Sequence, residues 1–165
     1  MEQSPLADVF DAHVRHEFVD KDVDATMQTM TAEPYLLHLP TLTGGEDRQA
    51  VRRFYEQLFV GKWPADTKVV RLSRTVGSEQ VVDELLISFT HDVPMEFMLP
   101  GVPPTGKPVE LLTVVVMKFD NGKIAHEHIY WDQGSFLTQV GLLDPTVLPV
   151  IGVQQAAALR AKQRP

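Results

Sequence analysis

Apolar residues recur at helical spacing in the first part of the chain. Ser4-Pro5 is typical of a helix start, with Ser4 as N-cap and Pro5 at the first helical position. The apolar stripe that follows has steps of three and four residues: Leu6, Val9, Phe10, His13, Val14 and Phe18. This spacing predicts an amphipathic helix that ends at about Val19.

Two further helices and a short strand are predicted before Pro64. The second helix begins after Asp22 and must end before Pro34, because a proline disfavours helical geometry in the residue before it. The third runs from Asp47 to about Val60. Between them, the segment YLLHLP is typical of a short strand, and TLTGGED is typical of a loop.

After Pro64 the pattern becomes typical of strands. Three segments are rich in Val, Leu, Ile, Phe and Thr: Thr67 to Val76, Val81 to Phe97 and Pro108 to Asp120. Asn121-Gly122 then predicts a type I′ hairpin turn, and the Pro- and Gly-rich stretch between Phe97 and Pro108 predicts a loop.

The last part of the chain is predicted to be helical and then irregular. A short helix is expected from Phe136 to Val140, and a second from Val153 to Lys162. Helices first and antiparallel strands later indicate an α+β fold. We expect a single domain over residues 1–165, with its core at about residues 6–143 and a C-terminal tail at 144–165.

Composition and charge exclude several classes of partner. The 165 residues carry a net charge of −7 with scattered Lys and Arg, which argues against nucleic acid or an anionic membrane as partner. There is no cysteine, and hence no disulfide or thiolate metal site. The longest apolar run, Leu111 to Met117, is too short to span a bilayer, and the N-terminus does not resemble a signal peptide. We therefore expect a cytoplasmic protein.

The hairpin turn predicts which side chains share a face of the sheet. Without irregularity, pairing of Asp120 with Lys123 places Met117 of the preceding strand opposite His126. Four titratable residues then share the face of Met117: His126, His128, Tyr130 and Asp132. The other face receives Glu127, Ile129 and Trp131. Ile129 and Trp131 are apolar and are typical of packing. A sheet face left apolar after helices cover the other predicts a homodimer through that outer face, and the alternative is that the C-terminal tail covers it.

Asp132 has two interpretations that can both hold. It precedes Gln-Gly-Ser and an apolar helical stretch, which is typical of an N-cap. It also ends a strand beside Tyr130, where a carboxyl next to an apolar wall can act as general acid or base. A histidine that orients it would come from another strand, with His38 and His91 as candidates, because His128 lies too far along its own strand.

His126 and His128 form a His-x-His pair whose spacing suits zinc. A third ligand would have to come from a more distant residue: His38, His91, Glu96 or Asp132. Glycine-rich phosphate loops, nucleophile elbows and helical His-Glu-x-x-His motifs do not occur in the sequence. The sequence therefore contains no motif specific for a metal enzyme, which remains an alternative.

Three segments resemble the SnoaL-like polyketide cyclase family of the nuclear transport factor 2-like superfamily: GVPPTGKPVELL, FDNGKIAHEHIYWDQ and FLTQVGLL. The matching positions are Pro103 to Lys107, Asp120 to Ile124, Asp132, and Gln139 to Gly141. The resemblance extends over about Leu6 to Leu143. His128 departs from it, since the family commonly has an aromatic residue there, and HEHIYWDQ is closer to SnoaL-like proteins associated with dienelactone hydrolases.

The resemblance implies a cone-shaped, curved antiparallel sheet wrapped around N-terminal helices, an internal pocket and commonly a dimer. It implies that Asp132 is the acid/base of a cofactor-free enzyme acting on a small, apolar or aromatic carbonyl compound. The expected helpers are His128, Tyr130, His38 and His91, and cyclisation, isomerisation and dehydration share the first proton transfer. The alternatives are a non-catalytic ligand-binding or dimerisation domain, a metal enzyme and an epoxide hydrolase.

Overall fold

A computed structural model describes residues 4–162 as five α-helices and one six-stranded sheet. The helices are α1 (Pro5–Arg15), α2 (Val23–Gln28), α3 (Arg48–Phe54), α4 (Gln133–Gln139) and α5 (Gln154–Arg160). The strands are β1 (Met30–His38), β2 (Thr43–Gly45), β3 (Lys68–Val76), β4 (Gln80–Thr90), β5 (Pro108–Asp120) and β6 (Lys123–Trp131). None of these helices is both long enough and apolar enough to cross a membrane.

The sheet is curved and open, with strand order β2-β1-β6-β5-β4-β3. Neighbouring strands are antiparallel except β1 and β6, which are parallel. α1 packs against β4 and β6, while α3 packs against β1 and β2. The predicted α+β class and curved sheet are confirmed.

The three predicted N-terminal helices are present, but two of them end differently from an ordinary α-helix. α1 continues into a π-helical turn at His16–Asp20, and α3 into another at Tyr55–Phe59. Each turn shifts the hydrogen-bond partner by one residue, as in the bond from the Val60 amide to the Tyr55 carbonyl. After the start of each turn, the side chains therefore lie on a different face from the one they would occupy in a regular α-helix.

Two predictions about strand boundaries are wrong. Part of TLTGGED pairs with β1 as strand β2, because Gly44 has a φ of 144° and no Cβ, which lets it lie against the Leu36 carbonyl. The predicted strand from Val81 to Phe97 ends at Thr90. There Asp66 accepts hydrogen bonds from both the amide and the hydroxyl of Thr90, and the chain then turns inward.

The predicted hairpin turn is confirmed, but the predicted register of its strands is wrong. Asn121 and Gly122 have φ angles of 49° and 75°, and Asp120 pairs with Lys123. Ala125 is then skipped, so that Lys118 pairs with His126 in place of the expected partner Met117. This β-bulge keeps the predicted grouping of the β6 side chains but shifts them relative to β5, so that Glu127, and not His126, lies opposite Met117.

The C-terminal tail lies against α4 and β5. α5 begins at Gln154 and ends at Arg160, so it is shorter than predicted. The Arg160 guanidinium binds the Glu110 carboxylate of β5, and the Ser135 hydroxyl of α4 donates to the Gly152 carbonyl at 3.1 Å. These contacts hold the tail against α4 and the first part of β5.

Candidate functional site

An internal cavity of about 70 Å³ lies between the concave face of the sheet and the N-terminal helices. This is roughly five times the space that one water molecule needs. Most of its walls are aliphatic or aromatic, including Phe10, Leu36, Phe59 and Met98. The polar residues that line it are few: Glu17, His38, Thr113, Glu127 and the indoles of Trp63 and Trp131.

The bulge at Ala125 decides which residues of β6 line the cavity. Glu127, Ile129 and Trp131 lie on the concave side and are buried. Glu127 pairs with Met117 of β5 and with Leu36 of β1, so it lies in the middle of the sheet. A carboxylate in that position has lost its water and needs partners from the protein.

Those partners come from α1 and from the two π-helical turns. The Nε2 atom of His13 lies 3.1 Å from a Glu127 carboxylate oxygen and 3.2 Å from a Glu17 carboxylate oxygen. The Tyr55 hydroxyl donates to Glu127 at 2.6 Å and lies 3.1 Å from the same His13 nitrogen. All four residues are buried. We call His13, Glu17, Tyr55 and Glu127 the buried acid–base cluster.

Hydrogen-bond geometry makes His13 a double donor. Its Nδ1 lies 2.6 Å from the Thr29 hydroxyl oxygen, and that hydroxyl already donates to the Thr26 carbonyl. Nδ1 must therefore be protonated, and it donates a hydrogen bond to the Thr29 oxygen. Nε2 lies 3.1 Å from the carboxylate of Glu127, which as an ionised group can only accept a hydrogen bond, so Nε2 donates to it. Both nitrogens are protonated, and His13 is an imidazolium.

The pKa values of the cluster follow from burial and from this one positive charge. Burial opposes protonation of His13, but the charges of Glu127 and Glu17 outweigh it and raise its pKa to about 10. Burial raises the pKa of Glu17, and His13 only partly offsets that rise. Burial also acts on Glu127, but His13 and the Tyr55 hydroxyl lower its pKa below the usual value. The two glutamates are thus displaced in opposite directions.

His38 enters the same cavity from β1 as a neutral imidazole. It pairs with Ile129 of β6 and is surrounded by the rings of Phe54, Phe59 and Phe97 at 5.6 to 6.0 Å. Burial lowers its pKa to about 4, although the nearby charge of Glu127 acts the other way. At neutral pH it therefore offers an uncharged donor or acceptor.

The π-helical turns explain how α1 and α3 deliver their polar residues. Glu17 and Phe18 belong to the first turn, and both line the cavity. Tyr55 and Phe59 belong to the second, and Tyr55 is fully buried against Glu127. Such turns are rare in general and are frequent at functional sites.

The predicted site residues are not brought together. Asp132 is exposed and caps α4 by accepting from the Ser135 amide at 2.9 Å, and it also accepts from the Gln155 side chain at 2.6 Å. Its predicted capping role is confirmed. His128 and Tyr130 lie on the convex face because of the bulge. His38 is the one member of the predicted set that lines the cavity.

The convex face has its own aromatic group, and His91 lies elsewhere. His126 and His128 stack at 4.3 Å between ring centres, and the His128 Nε2 is 2.9 Å from the Tyr35 hydroxyl. The Nδ1 of His91 lies 3.1 Å from the Thr105 hydroxyl, beside Phe136 of α4. The expected grouping of these residues around one ligand is therefore not formed, since His38 lines the cavity, His128 and Tyr130 lie on the convex face, and Asp132 caps α4.

The residues that could bind a metal ion also differ from the predicted pair of His126 and His128. Within the part of the chain that the structure describes, the grouping of three donors is His13, Glu17 and Glu127, with ligand atoms within 4.8 Å of one another. One imidazole and two carboxylates can bind a divalent cation. Here the imidazole is an imidazolium that donates to both carboxylates, and a metal would have to displace that proton. The set is therefore better suited to proton transfer.

Sequence reasoning missed four residues of the site. His13 was visible as a polar member of the apolar stripe of α1, and Glu17 lies one turn later. The spacing of four residues between His13 and Glu17 was the sequence signal for a buried ionic contact. Glu127 was assigned to the face with Ile129 and Trp131, which is correct, but that face was interpreted as packing. Tyr55 carried no signal apart from its place in an apolar helix.

Comparison with known proteins agrees with this fold. The SnoaL-like domain model matches residues 10–127, and the chain belongs to this family, within the nuclear transport factor 2-like superfamily. No curated protein sequence matches the chain significantly.

Three solved structures illustrate the range of its structural relatives. A protein of Jannaschia sp. CCS1 named as a SnoaL-like polyketide cyclase is 20% identical, with a TM-score of 0.67 over 87% of this chain and 99% of its own. AclR of Streptomyces galilaeus, assigned as a hydroxylase, is 17% identical, with a TM-score of 0.62 over 96% and 97%. SalBIII, an epoxide hydrolase/cyclase-like enzyme of salinomycin pyran ring formation, is 18% identical, with a TM-score of 0.57 over 77% and 90%. At these identities the likeness shows the fold alone.

Proposed function

We propose that this protein is an acid–base enzyme that moves a proton at a carbon next to the carbonyl group of a small, largely apolar compound. The observation that carries the proposal is the pair of carboxyl groups, Glu17 and Glu127, that line one apolar cavity and share the His13 imidazolium. Carboxyl groups whose surroundings displace their pKa values in opposite directions are suited to act as acid and base.

Each member of the cluster has a defined task in this reaction. Glu127, ionised and fixed by the Tyr55 hydroxyl, takes the proton from carbon. Glu17, which holds its proton to higher pH, donates to the carbonyl oxygen as negative charge develops there. His38 supplies a neutral hydrogen-bonding group from the neighbouring strand β1. The proton moves from carbon to Glu127, a second moves from Glu17 to oxygen, and an enol results.

The His13 imidazolium suits this exchange because the cluster keeps the same total charge throughout. Before the step the negative charge is on Glu127, and after it the charge is on Glu17. His13 Nε2 lies at 3.1 and 3.2 Å from the two carboxylates, so it stabilises either state almost equally. A charge that need not leave the low-dielectric site avoids a large desolvation cost.

Exchange of carbon-bound protons with solvent tests the proposal without knowledge of the natural substrate. Small ketones with apolar substituents are incubated in D2O, and loss of the α-proton signal is followed by NMR. The wild-type protein should accelerate exchange, and Glu127→Gln should reduce that acceleration by about a hundredfold or more. Asp132→Asn is the matched control on the surface and should keep the wild-type rate.

Two results would contradict the proposal. The first is exchange at the same rate with Glu127→Gln as with the wild type. The second is saturable binding of the ketones without any acceleration of exchange, which would favour the non-catalytic binding domain.

A further inference from the structure

Buried polar atoms without partners are concentrated around the cavity. Across residues 4–162, five buried side-chain nitrogen or oxygen atoms have no hydrogen-bond partner: His38 Nδ1, Trp63 Nε1, His91 Nε2, Thr113 Oγ1 and Trp131 Nε1. Four of these five residues line the cavity, and His91 does not. Because leaving such atoms unpaired destabilises a fold, their collection at one place calls for a ligand that pairs with them.

Thr113 and Trp131 form the best-defined pair among them. They stand directly opposite each other on β5 and β6, and both side chains face the cavity. Their exposed fractions are 3% and 7%. The Trp131 indole packs on Phe136 of α4 with ring centres 5.8 Å apart, which fixes its orientation. Residues directly opposite on neighbouring strands have Cβ atoms about 5 Å apart, which places both polar side chains on the same part of the cavity wall.

The chemistry of this pair selects the ligand atom. An indole N–H can only donate a hydrogen bond, and the threonine hydroxyl can donate or accept. Both can therefore donate to one oxygen that has two lone pairs, such as a carbonyl or hydroxyl oxygen. An ammonium group has no lone pair and would leave the indole unpaired.

This oxygen would be remote from the reacting carbon. Trp131 lies four residues after Glu127 on β6, which separates their Cα atoms by about 13 Å. The buried acid–base cluster therefore occupies one end of the cavity, and the Thr113–Trp131 pair occupies the other. His38, which pairs with Ile129, lies between them.

We propose that the cavity binds a carbonyl compound with a second, remote acceptor oxygen, and that Thr113 and Trp131 are the residues that bind this oxygen. The inference rests on the proposed function, since the reacting carbonyl is placed at Glu127. It names the substrate class more closely: a compound whose two oxygen functions are joined by an apolar body. The apolar walls around Phe10, Leu36 and Phe59 would contact that body.

A matched pair of ligands tests the proposal by calorimetric or ligand-observed NMR measurement of affinity. The pair is 4-phenyl-2-butanone and 4-(4-hydroxyphenyl)-2-butanone, which differ only in the remote oxygen. The second should bind the wild-type protein about tenfold more tightly, as expected for a hydrogen bond to buried donors. Thr113→Val, which keeps the side-chain shape, and Trp131→Phe should each reduce this preference to about threefold, and the double variant should abolish it.

Thr75→Val, on an exposed position of β3, is the matched control and should keep the tenfold preference. Equal affinity of the wild type for both ligands, including no measurable binding of either, overturns the inference. So does a preference that survives in the double variant. The two proposals fail separately: α-proton exchange without a preference contradicts only this inference, whereas a preference without exchange contradicts only the catalytic role of Glu127.

Discussion

The two faces of β6 differ both in the number of their titratable residues and in the surroundings of those residues. On the convex face His126, His128 and Tyr130 are half-buried or exposed, and they bind one another and Tyr35. On the concave face Glu127 has 3% of its surface exposed. Water screens the first group, so its interactions are weak, whereas burial makes every charge of the second group strongly dependent on its partners.

A concentration of histidine residues therefore did not mark the position of the site. The convex face is richer in the residue types associated with catalysis. The concave face has one carboxylate, but it is paired with Glu17, His13 and Tyr55 from three other segments. The burial and the convergence of these groups distinguish the site, and both depend on which face a residue occupies.

The largest expected effect comes from removing the one positive charge of the buried acid–base cluster. His13→Leu leaves the carboxyl groups of Glu17 and Glu127 buried without a cation, which should lower the free energy of unfolding by about 3–5 kcal/mol. Urea unfolding at pH 7 measures it. His128→Leu is the control on the convex face and should cost about 1 kcal/mol or less. Equal losses for the two variants would contradict the difference between the faces.

The next effect is a dependence of stability on pH that arises from His38. Its pKa is about 4 in the folded state and near 6.5 when unfolded, so the unfolded state binds the proton first as the pH falls. Its contribution to stability should therefore decrease as the pH falls from 6.5 to 4, by about 3 kcal/mol in total. The measurement is the difference in the free energy of unfolding between the wild type and His38→Gln at several pH values. A difference that does not change over this range would contradict the buried, neutral state of His38.

The smallest effect is expected at Asp132. Asp132→Asn keeps an N-cap acceptor for the Ser135 amide and should change the free energy of unfolding by about 0.5 kcal/mol or less, while Asp132→Ala should cost about 1 kcal/mol. Thermal or urea unfolding of the two variants distinguishes them. A loss of α-proton exchange in Asp132→Asn, with stability unchanged, would restore Asp132 as the acid or base and contradict its assignment as a cap.

The sequence was sufficient for the elements that depend on local rules. The apolar stripe of α1, the Asn121-Gly122 turn and the Asp132 cap are all set by neighbouring residues, and the structure has them where they were predicted. The family resemblance supplied the curved sheet and the internal pocket as expectations. These features need no knowledge of distant contacts.

The site could not be predicted because it depends on one residue of register. Ala125 has no property that marks it as a bulge, and skipping it decides whether Glu127 or His126 shares the concave face with Met117 of β5. The π-helical turns that place Glu17 and Tyr55 also carry no pattern in the sequence. Both irregularities are stabilised by tertiary contacts, such as the bond between Tyr55 and Glu127, and those contacts become visible only in the folded chain.

The protonation state of His13 tests the account most directly, because the acid–base cluster depends on it. The imidazole nitrogens of His13 are to be observed by ¹⁵N NMR at pH 8, with assignment from His13→Gln. We expect both nitrogens to carry protons at pH 8 and the ring to lose one only as the pH approaches about 10. A His13 ring that is neutral at pH 8, with an ordinary pKa near 6.5, would contradict the shared imidazolium and with it the proposed roles of Glu17 and Glu127.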